Sequence, residues 1–334
     1  MHRDKVDSFN GGIGMVEALF HFLPDHIEKA LKLLPETIRS TLEEVRLRAE
    51  RPVEIISSLK EGFLTSAGDI TPLPSNGLIV SPDDMAHIIN LMTNHSLYAM
   101  EEELRRGYLT LPGGHRIGLS GRAVLKGGRI SHLHHITGLN LRLAREKIGT
   151  GEVLLPYIWN GKEVYNTLII SPPRAGKTTL IRDLARIFSY GESRFGISGM
   201  RVGVVDERSE IAGSYLGIPQ KDVGPRTDVL DGCPKAEGMM MMIRSMSPQL
   251  LITDEIGQEE DVVALLEAIN AGIYLIATAH GEKLDEIEKR PILQKIFRYQ
   301  VFQRIIFLSR RKGAGTIEAV YDGQGKRVLG GNLR

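Results

Sequence analysis

Apolar positions along the chain follow two different periods. Between Leu19 and Leu34 they recur at Phe20, Leu23, Ile27, Ala30, Leu31 and Leu34, the spacing of an amphipathic helical region interrupted near Pro24, and a second helical stretch follows Pro35. The period changes to strict alternation at Val45-Arg46-Leu47-Arg48 and, after a proline turn, over Arg51 to Ile56, which predicts strands. Ser81-Pro82-Asp83-Asp84 offers an N-cap, a proline at the first helical position and acid in the first turn, so a helix is expected through Ile88, Ile89 and Met92. Tyr98 to Arg106 also reads as helical. From Gly107 to Arg145 short alternating runs, broken at Gly113-Gly114, Gly127-Gly128 and Gly138, predict a small antiparallel sheet. Residues 15–147 therefore read as an α+β N-terminal domain, preceded by a flexible tail over 1–14 that carries charges, Asn and Gly.

The stretch Glu146 to Gly151, rich in small residues, is the expected boundary. Beyond it, over 148–334, apolar runs at Thr167 to Ile170, Val202 to Val205, Leu250 to Thr253, Tyr274 to Thr278 and Arg304 to Leu308 alternate with helical stretches. That alternation predicts an α/β domain with a mostly parallel sheet and helices on both faces. A Gly-rich hairpin around Gly313 to Gly315 and a strand over Ile317 to Tyr321 close the chain.

Composition narrows the function classes. The chain has 334 residues, enough for two cores, and its formal net charge of +1 gives no global attraction to nucleic acid or an acidic membrane. A single cysteine, Cys233, excludes an intramolecular disulfide framework and a cysteine zinc cluster, which suits a cytoplasmic protein. His132, His134 and His135 have no acid or cysteine nearby in sequence to complete a metal site. Four consecutive methionines, Met239 to Met242, cover every face of a helix, so they are expected to divide between core and surface packing.

Four strand ends carry the chemistry. Ser171-Pro172-Pro173-Arg174-Ala175-Gly176-Lys177-Thr178-Thr179 follows an apolar strand and opens a helix, as a phosphate-binding loop does. Lys177 would reach the β- and γ-phosphates of ATP, and the Thr178 hydroxyl would ligate Mg²⁺. Ser171 stands where the pattern has glycine, and a conformational cost is expected there. Leu250 to Thr253 ends in Asp254-Glu255, with Asp254 placed to hold Mg²⁺ through water and Glu255 to orient the attacking water. Val202 to Val205 runs into Asp206-Glu207-Arg208, so Asp206 and Glu207 are expected beside the phosphates, and Glu207 is an alternative to Glu255. Ile276-Ala277-Thr278-Ala279-His280 brings a histidine to the same edge, suited to sensing the γ-phosphate.

The order of these stretches resembles that of the secretion ATPases of type II and type IV systems, pilus retraction motors included, where the matching elements are called Walker A, Asp box, Walker B and His box. A closer resemblance is to the stage III sporulation protein AA family. It is carried by Val205-Asp206-Glu207-Arg208-Ser209-Glu210-Ile211, by the run from Asp228 to Gly238 and by Ile243-Arg244-Ser245-Met246-Ser247-Pro248. Val45 to Arg48 and Asn140 to Glu146 extend it into the first domain. The resemblance implies a RecA-like ATPase using ATP and Mg²⁺, peripheral on the mother-cell side of the membrane that engulfs the forespore. It implies membrane proteins of the sporulation channel as partners, and self-association into the hexameric ring of the broader group. In such rings a neighbour's arginine offsets transition-state charge, and Arg142, Arg145 and Arg226 are the candidates. Two further readings stay open: a nucleic-acid-dependent P-loop motor, and a nucleotide-gated scaffold with little turnover.

Overall fold

A computed structural model describes residues 19–92, 107–144, 146–282 and 290–329. The tail over 1–14, the helix expected over Tyr98 to Arg106, and Arg145 lie outside the described residues. The chain divides into two compact units, 1–145 and 146–334.

In the first unit, Pro24 and Pro35 fix the starts of α1 (Asp25–Leu33) and α2 (Glu36–Arg39). They are followed by seven strands, β1 (Leu42–Arg48), β2 (Glu54–Ser57), β3 (Glu61–Leu64), β4 (Ile70–Thr71), β5 (Tyr108–Leu111), β6 (His115–Lys126) and β7 (Arg129–Arg142). Their order in the sheet is β4-β3-β2-β1-β7-β6-β5, and every neighbouring pair is antiparallel. Period-two alternation puts Val45 and Leu47 of β1 in the core with Ile27, Leu31 and Leu141, while Glu44, Arg46 and Arg48 take the other face. Helix α3 (Pro82–Met92) begins with a reciprocal cap: the Asp84 amide donates to Ser81 Oγ (3.0 Å), and the Ser81 amide donates to the Asp84 carboxylate (2.8 Å).

The second unit is built on β8 (Thr167–Ser171), the two-residue strands β9 (Gly191–Glu192) and β10 (Ile197–Ser198), β11 (Val202–Asp206), β12 (Thr227–Asp231), β13 (Leu250–Thr253), β14 (Tyr274–His280), β15 (Arg304–Ser309), β16 (Thr316–Asp322) and β17 (Arg327–Leu329). Its helices are α4 (Leu155–Ile158), α5 (Lys177–Tyr190), α6 (Lys235–Met246), α7 (Glu259–Asn270) and α8 (Pro291–Arg298). Eight strands form one sheet in the order β12-β11-β13-β14-β8-β15-β16-β17, parallel from β12 to β15 and antiparallel beyond. The mostly parallel α/β architecture expected from the sequence is present.

Alternate residues of the buried strands face different helices. Ile169 packs in a cluster with Leu180, Ile181 and Leu184 of α5, whereas Leu168 and Ile170 join a second cluster with Met239, Leu265 and Leu293 from α6, α7 and α8. Both faces of the sheet are thus covered, as a parallel sheet requires. Met239 and Met242 are buried and Met241 is exposed, so the methionine run does divide between core and surface. From β8 the chain passes beyond β14 and β13 to β11, then returns and finally reaches β15 on the other side of β8. The strand order therefore reverses beside β8, the place in such sheets where a crevice opens at the carboxyl ends.

Candidate functional site

Strand β8 ends on Ser171, which pairs in register with His280 of β14 and donates its hydroxyl to the Pro172 carbonyl (2.9 Å). The backbone cost expected at Ser171 is not incurred: the residue is an ordinary strand end, and the left-handed conformations fall on Arg174 (φ 59°) and Gly176 (φ 88°). Gly176 needs its freedom because φ 88° is a conformation that residues with a Cβ rarely adopt. Ala175 is buried, Pro172 half-buried, and Pro173 and Arg174 exposed. Lys177, Thr178 and Thr179 form the first turn of α5, whose free N–H groups and dipole favour an anion.

Lys177 points back into its own loop. Its ammonium donates to the Ser171 carbonyl (3.1 Å), approaches the Pro172 carbonyl (3.4 Å), and lies 3.2 Å from His280 Nδ1. The other ring nitrogen of His280, Nε2, is 2.7 Å from Glu255 Oε1. With Lys177 donating to Nδ1, the pattern assigns a neutral imidazole whose proton sits on Nε2 and is given to Glu255. Arg208 holds the second oxygen of Glu255 (2.7 Å). All four strand ends are therefore joined by one chain of contacts, Lys177 to His280 to Glu255 to Arg208.

Glu255 is held in the left-handed region (φ 49°), where a non-glycine residue costs ~1 kcal/mol or more. Two bonds keep it there. Its amide donates to Thr278 Oγ1 (2.9 Å), and its carbonyl accepts from Lys235 Nζ (2.8 Å). Lys235, buried at the start of α6, also pairs with Glu207 (3.3 Å), which is 38% exposed. The roles of Lys235 and Arg208 in the site are not apparent from sequence. The run Cys233-Pro234-Lys235 shows only that a helix begins; that its first lysine reaches two glutamates depends on α6 packing against β11.

Asp206 departs from expectation. It is fully buried, and its oxygens accept from the amides of Glu210 (2.8 Å) and Ala212 (2.9 Å), so it shapes the following loop instead of emerging beside a ligand. From the other side Arg182 of α5 grips the same loop, donating to the carbonyls of Glu210 (2.6 Å) and Ile211. Arg226 is bound to the far end of α5: its amide donates to Ser189 Oγ (2.6 Å) and its guanidinium to the Ser189 carbonyl (2.9 Å). At ~1.5 Å per residue, the length of α5 separates Arg226 from the phosphate-type loop of its own chain. Arg142 belongs to the first unit, where it lies 3.6 Å from Glu44.

Burial lowers the pKa of Lys177, against the pull of Glu255 and Asp254. Asp254 is 3% exposed, and burial, reinforced by Asp206 and Glu255 and opposed by Lys235, pushes its carboxyl up to about 7. Thr178 and Asp254 offer hard oxygen donors, and among the described residues no cluster of three or more His, Cys, Asp or Glu forms a cage. That set fits Mg²⁺, which takes one or two protein groups and fills its octahedron with water and phosphate oxygens, better than a cation needing a full protein shell. A divalent ion would also favour the ionised form of Asp254.

The raised value for Asp254 has a signed consequence for stability. Its folded pKa of about 7 lies above the ordinary 3.8, so the folded chain holds the extra proton across that interval. The stability this contributes is present below about pH 4 and is lost as pH rises through 7. In chelator without nucleotide, Asp254→Asn should remove that slope and leave the variant more stable above pH 7, by roughly 1–4 kcal/mol. Thermal unfolding of both proteins from pH 5 to 8 measures it; parallel pH profiles would refute the assignment.

The family model described as Sporulation stage III, protein AA matches residues 16–328. Stage III sporulation protein AA of Bacillus subtilis (strain 168) is 46% identical over 91% of this chain and 94% of its own length. Among solved structures, the pilus retraction motor PilT with bound ADP aligns over 92% of this chain and 82% of its own, with a TM-score of 0.56 at 14% identity. The Legionella pneumophila ATPase DotB aligns over 97% and 81%, with a TM-score of 0.54 at 15% identity. The fold is therefore that of the RecA-like secretion ATPases.

Proposed function

This chain belongs to the family Sporulation stage III, protein AA, and from that premise we propose that it is an ATP-hydrolysing motor that powers or assembles the channel between mother cell and forespore. The observation that carries the reading is the contact chain from Lys177 through His280 to Glu255 at the carboxyl edge of the sheet. A cationic loop lysine next to a carboxylate, with a neutral imidazole between them, supplies phosphate binding, water activation and a sensor in one place.

In this reading ATP lies on the loop from Ser171 to Thr179. The Lys177 ammonium exchanges its carbonyl partners and His280 for phosphate oxygens. Thr178 and Asp254 would hold Mg²⁺, Asp254 through water, and the ion when bound would supply charge stabilisation at the phosphates. Glu255 orients the attacking water, with Arg208 and His280 fixing its two oxygens and Lys235 its backbone. Glu207 is the alternative for that role. His280, released by Lys177, reports whether the γ-phosphate is present.

Copies of the chain assemble into a ring, a hexamer in this proposal, with Arg142, Arg145 or Arg226 reaching a neighbour's nucleotide. Among the described residues no helix is long and apolar enough to cross a membrane. Docking is proposed on membrane proteins of the channel, at the cytoplasmic face on the mother-cell side. Nucleic acid is not part of the reading.

The test is steady phosphate release by the full chain from Mg²⁺ and ATP, with single-stranded or double-stranded nucleic acid added in parallel. Turnover indifferent to nucleic acid is expected. Strong stimulation by either would transfer the reading to a nucleic-acid motor, and tight binding without turnover would make the chain a nucleotide-gated scaffold.

A further inference from the structure

The phosphate-type loop has a second neighbour. Strand β15 runs parallel to β8 on the side away from β14, with Phe307 paired to Ile170, so the residues after Ser309 emerge at the same edge of the sheet as Ser171. They form the turn into β16, and this turn is bonded to the loop: the Gly315 amide donates to the Ala175 carbonyl at 2.9 Å. Ala314 and Gly315 also lie where a Cβ on Gly176 would project, at 3.4 and 3.5 Å.

The turn is built from its own hydrogen bonds. The Gly313 amide donates to the Arg310 carbonyl (3.0 Å), Thr316 Oγ1 donates to the Gly313 carbonyl (2.7 Å), and the Lys312 amide donates to Thr316 Oγ1 (3.3 Å). Arg311 is neutralised by Glu318, with contacts of 3.0 and 3.2 Å. Arg310 and Lys312 are exposed and make no ion pair among the described residues. Three cations set against the one carboxylate of Glu318, which Arg311 pairs and Lys312 feels at longer range, thus leave this turn with excess positive charge, and the turn is hydrogen-bonded to Ala175, one residue before the Gly176 that caps α5.

We infer that the turn Arg310 to Gly315 is a second, cationic wall of the nucleotide site, in which Arg310 and Lys312 grip the phosphate chain of a nucleoside polyphosphate. The inference rests on the proposed nucleotide binding at Lys177. It has a physical motive: a di- or triphosphate carries more negative charge than one ammonium offsets. The face toward β14 and β13 supplies carboxylates, Asp254 and Glu255, and its nearest cation, Arg208, is already spent on Glu255. Positive charge on the β15 side balances them. The bond from Gly315 to Ala175 holds the backbone of that wall in place before the ligand arrives, so only the two side chains are ordered on binding.

Affinity for ADP and ATP is measured with Mg²⁺ by displacement of a fluorescent nucleotide, for the full chain, the double variant Arg310→Ser with Lys312→Ser, and the charge-preserving Arg310→Lys with Lys312→Arg. The double serine variant should bind ~10-fold more weakly with a shallower salt dependence, and the charge-preserving variant should bind as wild type does. Circular dichroism and thermal unfolding check the fold; if the double variant misfolds, Lys312→Gln alone is read in the same way. Affinity within about twofold of wild type, or equal loss in the charge-preserving variant, overturns the inference. Binding abolished by Lys177→Ala but unchanged by the double variant removes the cationic wall alone. No binding by the wild-type chain removes the nucleotide reading with it.

Discussion

Lys177→Ala should abolish measurable ATP turnover and weaken nucleotide binding by ~10²-fold or more, the loss of one or two charge-assisted hydrogen bonds to phosphate. The ammonium is buried, 7% exposed, and spends its hydrogen bonds on two carbonyls of its own loop and on His280. Phosphate offers it more than these neutral partners do, because the full negative charge also favours the protonated state that burial opposes. Alanine removes the cation that stands between the Asp254 and Glu255 carboxylates and the incoming phosphates, leaving Arg208 on Glu255 and Lys235 near Asp254 as the remaining positive charge. Calorimetric titration with ADP, beside phosphate release with ATP, separates the two losses. Binding within about threefold of wild type would show that phosphate does not sit at Lys177.

Glu255→Gln carries the second large effect: hydrolysis slowed by ~10² or more with nucleotide affinity nearly unchanged. The amide retains the shape of the side chain and can still accept from His280 or Arg208, so the change isolates the charge. Glu207→Gln is the comparison that decides between the two carboxylates. Glu207 is more exposed and, among the described residues, reaches the rest of the site through Lys235, so its amide variant should lose less activity. Should single-turnover hydrolysis fall by ~10² in Glu207→Gln and stay near wild type in Glu255→Gln, the water-orienting role moves to Glu207. Lys235 matters in either case, since its ammonium touches both residues.

The parts of the molecule legible in the sequence are those where a local pattern carries the information. Leu168 to Ile170 ending on Ser171, Leu250 to Thr253 ending on Asp254, and Leu275 to Ala279 ending on His280 are apolar runs that stop on polar residues, and each is a buried strand whose end faces one edge. Strand β12 is not legible: Thr227-Asp228-Val229-Leu230-Asp231 alternates irregularly and is half-buried throughout, as an edge strand covered on one side can be. Strands β3 and β4, four and two residues long, are too short to show a period. The part of the site that escapes sequence reading is the part made by closure. Lys235 and Arg208 reach Glu255 across 20 and 47 residues of chain, and the strained backbone of Glu255 is visible only once Thr278 and Lys235 are seen to hold it. The phosphate-type loop misleads in one respect: its first position looks like a missing glycine, yet the turn is made at Arg174 and Gly176.

The short loop after β11 is fastened along both of its edges, the amides by Asp206 and the carbonyls by Arg182. A segment whose donors belong to a strand and whose acceptors belong to a helix has few internal degrees of freedom left. A shift of α5 would reach Glu207 and Arg208 as displacement rather than as disorder. Stiffness of this loop, more than contact with any ligand, is what the buried aspartate and the buried arginine provide.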